Sequence, residues 1–452
     1  MNTYIFREYD IRGVVETDFT DVVVRNLGRA FGTSVIRRGG KTIALSGDIR
    51  LTTPHLISIF SKGLQETGVD VVLLGIIPTP VNYFSMFHLD VDGAVQITGS
   101  HNPVEFNGFK LSFNKMAFFG EQIQEMKTLI QKNDFESGSG NESEASILDD
   151  YHQMLKSKIK FDKHLKIVMD SGNACAGITA PAIFDEMDCE VTELYSEVDG
   201  TFPNHHPDPT EDHNLAEVVE LMKSGEYDLG VAYDGDADRV VAVDNLGQII
   251  RADNMMALFL PEIVNDGDSI VFDVKCSQAL EDMILRYGGK PIMWKTGHSL
   301  IKKKMKEEHV KFAGEMSGHI FFGDDFFGFD DAVYVALRLA QTLSRTDRKL
   351  SDLTSEIPVY YSTPEMRLEC PTDEEKFKIA KKAEEYFKEN YDCITVDGVR
   401  IKFGDGWGLV RSSNTQPVIV CRFEANRQDR MEEIKKIVLS KLMEFGEIAI
   451  SE

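Results

Sequence analysis

Three aspartates alternate along Asp234-Gly235-Asp236-Ala237-Asp238, and Arg239 follows them. In an extended or turning loop, carboxylates at i, i+2 and i+4 converge on one side. Converging carboxylates repel one another unless a cation lies between them. An all-oxygen set suits Mg²⁺, with positions left for water or a phosphate oxygen. The apolar run before the loop (Leu229, Val231) places it at the C-terminal end of a strand, where α/β sheets bind ligands. A plain acidic turn is the competing reading. An EF-hand is disfavoured, because no glutamate stands where its last ligand belongs and strands flank the loop.

A second polar loop runs Thr98-Gly99-Ser100-His101-Asn102-Pro103, with Asn107-Gly108-Phe109-Lys110 just beyond. A hydroxyl exposed in a turn after a strand can act as a nucleophile or carry a covalent phosphate. Lys110, after a glycine turn, could fold back as an acid or base. There is no GxSxG elbow and no evident Ser-His-Asp triad, and His101 is so close in sequence to Ser100 that it promises poor geometry for a base. An ordinary Ser/Asn/Pro turn is the alternative. In Gly314-Glu315-Met316-Ser317-Gly318-His319, three polar side chains between glycines could point into a cleft and hydrogen-bond hydroxyls, or form a solvated turn. In Arg411-Ser412-Ser413-Asn414-Thr415, a guanidinium, hydroxyls and consecutive backbone N–H groups form a candidate phosphate cradle, with a polar hairpin turn as the alternative.

These loops hold positive charge against the trend of the chain. The 452 residues carry a net charge of −25, yet Arg7, Arg12, Lys110, Arg239, Lys275, His298 and Arg411 fall in or beside the polar segments. A locally basic cleft in an acidic protein fits an anionic small molecule. The same charge balance disfavours a nucleic-acid or anionic-membrane partner. No apolar run approaches the roughly 20 residues that span a bilayer. The first residues show no secretion signal, and six scattered cysteines form no CxxC pair. The expectation is a reduced, cytoplasmic, soluble protein.

The elements that must position these loops recur three times. A β-branched strand ending in a polar turn is expected at 42–50, 166–177 and 269–277. A second follows at 69–75, 189–195 and 290–297. A third, running into a polar loop, follows at 93–103, 228–239 and 310–319. Helix-length segments lie between them, which indicates α/β units with a largely parallel sheet. The last ~85 residues read as a small α+β domain. Thr372-x-x-Glu375 is a capping box opening a helix with Phe377, Ala380, Ala383 and Phe387 on one face. Strands are expected at 398–403 and 418–425, then a helix burying Met431, Ile434, Val438, Leu442 and Phe445. The stretch 358–364 reads as a linker and 138–146 as a flexible surface loop. The expected domains are 1–150, 151–255, 256–360 and 361–452.

Five motifs, FREYDIRG (6–13), TGSHNP (98–103), DGDADR (234–239), GEMSGH (314–319) and RSSNTQP (411–417), occur in the order and at about the spacing of the α-D-phosphohexomutases. They most resemble the bacterial phosphomannomutase/phosphoglucomutase branch. The resemblance covers nearly the whole chain. It implies three related mixed-sheet α/β domains plus a C-terminal α+β domain, like the TATA-binding protein, around a central cleft. It implies a phosphoserine at Ser100 and Mg²⁺ held by Ser100, Asp234, Asp236 and Asp238. It implies Lys110 as general acid/base with Tyr9 and Arg12 nearby. Arg239, Lys275 and His298 map to reaction-site and substrate contacts, Glu315, Ser317 and His319 to a sugar loop, and Arg411, Ser413, Asn414 and Thr415 to a phosphate loop.

The implied activity interconverts hexose 6-phosphate and hexose 1-phosphate, of mannose and/or glucose, with hexose 1,6-bisphosphate as intermediate and activator. A phosphoglucosamine-type mutase and a non-catalytic phosphosugar-binding protein are the alternatives. The implied partner is a small phosphosugar, in a monomer or small homo-oligomer. With Arg12 and Arg239 as neighbours, Lys110 is expected to give up its proton more readily than a free lysine. Gly99 stands where the family commonly has alanine and is expected to add flexibility beside the nucleophile.

Overall fold

The computed structural model describes residues 2–413 and 418–450. The chain forms two compact units, one of residues 1–255 and 317–354, the other of residues 256–316 and 355–452.

The first unit contains two mixed sheets. In one, Thr42–Gly47 lies between Asp70–Ile76 and Gly93–Ile97, all parallel, and Gly93–Ile97 then pairs antiparallel with Phe106–Phe113. Ile11–Val14 closes that edge, setting Arg12 opposite Gly108. In the other, Lys166–Asp170 lies between Glu190–Leu194 and Leu229–Tyr233, again parallel, and Leu229–Tyr233 pairs antiparallel with Val240–Val243. The second unit repeats the central pattern, with Ser269–Asp273 parallel to both Lys290–Trp294 and Phe312–Gly314. The expected first, second and third strands are thus present in all three repeats, and each third strand runs straight into its polar loop.

Strand periodicity presents Lys110. Phe109 points into the core, stacked on Phe60 at 5.0 Å and edge-on to Phe19 at 5.4 Å. The next side chain, Lys110, therefore emerges on the opposite face. Behind that sheet the helices Asp21–Arg37 and Thr53–Gln65 pack backbone to backbone. A Cβ at Gly28 would lie 2.4 Å from the Phe60 carbonyl oxygen, and one at Gly63 2.3 Å from that of Arg25.

The C-terminal part is an antiparallel sheet in the order Asp392–Ile394, Val399–Lys402, Gly406–Ser412, Val418–Ala425, Met366–Glu369, Ala449–Ile450. Thr372 caps the helix Asp373–Asn390 by accepting from the Glu375 amide. That helix buries Ala383 and Phe387 as expected, but in its first half the stripe shifts by one position, burying Lys376 and Ile379 and leaving Phe377 54% exposed. The Lys376 ammonium explains the shift: it donates to Asp373 Oδ1 at 2.7 Å and to the Ser413 carbonyl at 2.8 Å, which turns that face inward. The closing helix, Gln428–Phe445, buries Met431, Ile434, Val438 and Leu442 as expected, while Phe445 is only half-buried against the same core.

Two loop expectations are corrected. Within 138–146, Glu142–Glu144 is an edge strand parallel to Asp70–Ile76. Within 358–364, Tyr361–Ser362 pairs with Val418–Ala425. Both are short, exposed strands. Among the described residues, no helix is long and apolar enough to cross a membrane.

Candidate active site

The Ser100 loop and the aspartate loop meet inside the first unit. Ser100 has a left-handed backbone, φ 47°, and is 1% exposed. Its amide donates to Thr98 Oγ1 at 2.8 Å, and its Oγ donates to Asp234 Oδ2 at 2.7 Å. Gly235 permits this approach, since a Cβ there would lie 2.3 Å from the Ser100 carbonyl oxygen. The aspartate loop is fixed by itself, with Asp234 Oδ1 accepting from the amides of Asp238 and Arg239, each at 3.1 Å.

Asp234, Asp236 and Asp238 are fully buried and can each present a carboxylate oxygen within 4.8 Å of the others, a spacing that could hold a metal ion. The oxygens Asp236 Oδ1 and Asp238 Oδ1 are buried and accept no hydrogen bond. Orphaned carboxylate oxygens of this kind fit a hard divalent cation.

Lys110 supplies the local countercharge. Its ammonium donates to Asp236 Oδ2 at 2.6 Å and also to Asp238 Oδ2. Burial alone would lower its pKa, but the charges of Asp236, Asp238 and Asp234 outweigh that and raise it. The expectation of a readily lost proton is therefore corrected: the carboxylates, not Arg12 or Arg239, dominate around this amine. Asp234 is shifted upward by burial and by its two acidic neighbours. Asp236 moves the other way, because Lys110 outweighs its burial.

Arg12 is half-buried, donating to Asn102 Oδ1 at 2.8 Å and to Asp10 Oδ2 at 2.7 Å. Tyr9 lies in the bend before that strand and is also half-buried. Arg239 Nε donates to His319 Nε2 at 2.9 Å, and His319 Nδ1 lies 3.0 Å from Asp330 Oδ2. His319 thus sits between Arg239 and Asp330.

The other polar residues fall in the second unit, whose boundary divides the GEMSGH motif between Met316 and Ser317. Ser317 is half-buried and belongs to the first unit. Glu315 is buried and accepts from the Gly297 amide, next to His298 at the start of the helix His298–Glu308. Lys275 Nζ lies 3.2 Å from Glu365, and Arg411 Nε lies 3.1 Å from Asp397. Burial opposes the charge on Lys275, but Glu365 and Asp273 outweigh it and raise the pKa. The Ser413 amide donates to the Val418 carbonyl at 3.0 Å. Asn414 and Thr415 lie outside the described residues.

Some residues here were discounted or missed in the sequence. His101 Nδ1 sits 3.1 Å from Ser100 Oγ despite the discouraging adjacency, because the left-handed turn at Ser100 folds the ring back. Burial, then Arg239, Arg12, Lys110 and His206, hold its pKa well below the usual value, so the ring is neutral. Thr79 donates to Asp236, and Glu365 and Asp397 lie in segments without any motif.

Models of phosphoglucomutase/phosphomannomutase α/β/α domains I, II and III match residues 3–137, 149–247 and 251–361, and the model of the C-terminal domain matches 365–441. A phosphomannomutase/phosphoglucomutase of Pseudomonas aeruginosa is 44% identical over 442 residues, covering 97% of this chain and 95% of that protein. The chain belongs to the phosphoglucomutase/phosphomannomutase family. Within that family, a phosphoglucomutase of Neisseria meningitidis serogroup A is 40% identical over 439 residues, 95% of each chain. The crystal structure of a phosphoglucomutase/phosphomannomutase family protein from Burkholderia thailandensis superposes with a TM-score of 0.92 at 39% identity, covering 99% of both chains.

Proposed function

We propose that this protein interconverts hexose 6-phosphate and hexose 1-phosphate, of mannose and/or glucose, through a phosphoserine at Ser100 and a hexose 1,6-bisphosphate. Family membership at 44% identity supports the overall reaction. The observation that carries the mechanism is the Ser100 hydroxyl bonded to Asp234, beside two buried carboxylate oxygens without partners.

Asp234, Asp236 and Asp238, together with an oxygen on Ser100, would hold Mg²⁺. Bound there, it supplies positive charge that offsets the negative charge of the transferring phosphoryl group. Phospho-Ser100 gives its phosphoryl group to the free hydroxyl of the substrate. The bisphosphate reorients and returns its other phosphate to Ser100. Lys110 stands within the carboxylate cluster as the group that takes the hydroxyl proton, once those carboxylates have another cation to neutralise them. Arg12 and Arg239 add positive charge, with His319 orienting Arg239. Glu315 and Ser317 accept from and donate to sugar hydroxyls, joined by His298 and Lys275. Arg411, Ser413, Asn414 and Thr415 hold the phosphate that is not reacting.

Glucose, mannose and glucosamine 1-phosphates, each with a trace of hexose 1,6-bisphosphate, should be assayed side by side with Mg²⁺ and with a chelator. Turnover of glucose or mannose 1-phosphate that stops on chelation is expected. Preference for glucosamine 1-phosphate would shift the reading to a phosphoglucosamine-type mutase, and no turnover of any sugar would reject catalysis.

A further inference from the structure

Two of the three α/β repeats carry the same short pattern after their first strand: Asp48-Ile49-Arg50 and Asp273-Val274-Lys275. Asp48 and Asp273 are 1% and 0% exposed. Each reaches across to the loop that leaves the third strand of its own repeat, and each accepts from the same place in it. Asp48 Oδ2 takes the Gly99 amide at 2.9 Å, and Gly99 is the second residue after Gly93–Ile97. Asp273 Oδ1 takes the Met316 amide at 3.2 Å, and Met316 is the second residue after Phe312–Gly314. The match extends to the other carboxylate oxygen. Asp48 Oδ1 accepts from the Thr53 hydroxyl at 2.7 Å, and Asp273 Oδ2 from the Thr296 hydroxyl at 2.9 Å.

The residues next to the two held amides are Ser100 and Glu315. We infer that Asp48 and Asp273 are equivalent positioning residues, one fixing the phosphoryl-transfer loop and the other the sugar loop; this rests on the proposed mutase function for the roles of those loops. The cation two residues on marks where the repeats diverge. Arg50 is 1% exposed and turns back on its loop, donating to the carbonyls of Ser100 at 2.8 Å, Asn102 at 2.5 Å and Pro103 at 2.7 Å. It also fills the space a Cβ on Gly99 would need, 2.3 Å from Arg50 Nε, so Gly99 serves close packing here rather than flexibility. Lys275, the counterpart, leaves its loop and pairs with Glu365.

The remaining repeat has lost the device. Asp170 gives its oxygens to the Gly172 amide and to His205. Its third-strand loop is held by its own Asp234 instead.

Hydrogen-bond chemistry makes the inference specific. An asparagine has one acceptor oxygen and one donor NH₂. At position 48 both oxygens face backbone amides, those of Gly99 and Arg50, so the NH₂ must oppose one of them. At position 273 the second oxygen accepts from the Thr296 hydroxyl, which can accept from NH₂ in return.

The variants Asp48→Asn, Asp273→Asn and Asp273→Ala should be compared by steady-state kinetics and by hydrogen exchange at the Gly99 and Met316 amides. Displacing a loop by about 1 Å costs about 100-fold. Asp48→Asn should lower kcat about 10- to 100-fold with KM little changed, and should expose Gly99 to exchange. Asp273→Ala should mainly raise KM and expose Met316, and Asp273→Asn should restore both. Equal losses in the two asparagine variants, losses falling on the same constant, or unchanged exchange at both amides would overturn the inference. The exchange arm reads the loops without turnover, so its failure is distinct from a failure of the mutase reading. If Asp273→Ala does not fold, the two asparagine variants still decide.

Discussion

Lys110 shows what a single residue hides in a sequence. The aspartates that set its charge stand beside Arg239 in one motif, and only the fold shows that they, rather than the arginine, reach its ammonium. Ser100 and the three aspartates were legible because their spacing is itself the chemistry. Thr79 and Asp330 were not, because only the folded chain brings them to the site, and the adjacency that discounted His101 as a partner of Ser100 is overcome by the turn at Ser100. A buried acid beside Asp330 makes a separate prediction. Burial pushes the Asp331 carboxyl up to about 7, and the Tyr151 hydroxyl donates to both its oxygens, at 3.0 and 2.9 Å. A carboxyl raised in the folded state holds a proton that the unfolded chain releases near pH 4. Its stabilising contribution is complete below that pH and is lost as pH rises through about 7. Asp331 also caps the helix Ala332–Ser344 through the Tyr334 amide, a role asparagine can fill. Asp331→Asn should therefore melt higher than the unaltered protein at pH 8, with the gap narrowing towards pH 5. A gap independent of pH would show that Asp331 does not titrate in this range.

At the scale of elements, the first and third strands of each repeat were legible because they are buried, mostly apolar runs ending in polar turns, whereas the second strands are only partly buried. Glu142–Glu144 was not legible, because its side chains are exposed and polar and only its backbone joins the sheet. The face of the helix Asp373–Asn390 was misplaced for the opposite reason: a buried lysine occupied a position that polarity assigned to solvent. Helix contact behind the Ser100 sheet depends on residues with no side chain at all. Gly28→Ala would press a methyl group onto the Phe60 carbonyl and push the helices Asp21–Arg37 and Thr53–Gln65 apart. Overpacking of this kind costs about 1–3 kcal/mol. Gly28→Ala should lower the unfolding free energy by that amount, read from the denaturant midpoint at unchanged slope, while alanine at Gly39, with no atom within 4 Å of its Cβ, should cost only the strain of its positive φ. Equal, small effects at both sites would remove the close helix contact from the account.

Across the whole molecule, the candidate chemistry divides by unit. Ser100, Lys110, Arg239 and the aspartates belong to one, and Lys275, Glu315, Arg411 and Ser413 to the other. The order of five motifs made the family legible, but this grouping was not, since the unit boundary falls inside one motif. A charge-assisted hydrogen bond to phosphate is worth roughly 1.5–3 kcal/mol, or about 10- to 150-fold in binding. Arg411→Ala should raise KM within that range and lower kcat less, because remote binding energy also helps orient the reacting group. Unchanged kinetics in the folded variant would remove the phosphate from this loop. The phosphate cycle itself is tested most directly by following isotope-labelled phosphate carried on the enzyme. The protein is labelled at Ser100, mixed with unlabelled hexose 1-phosphate, and analysed by intact mass and peptide mapping over the first turnovers. The account predicts that label leaves Ser100, appears in hexose bisphosphate and product, and is replaced by unlabelled phosphate at the same residue. Label that stays on the protein while sugar turns over, or that maps to another residue, would contradict it.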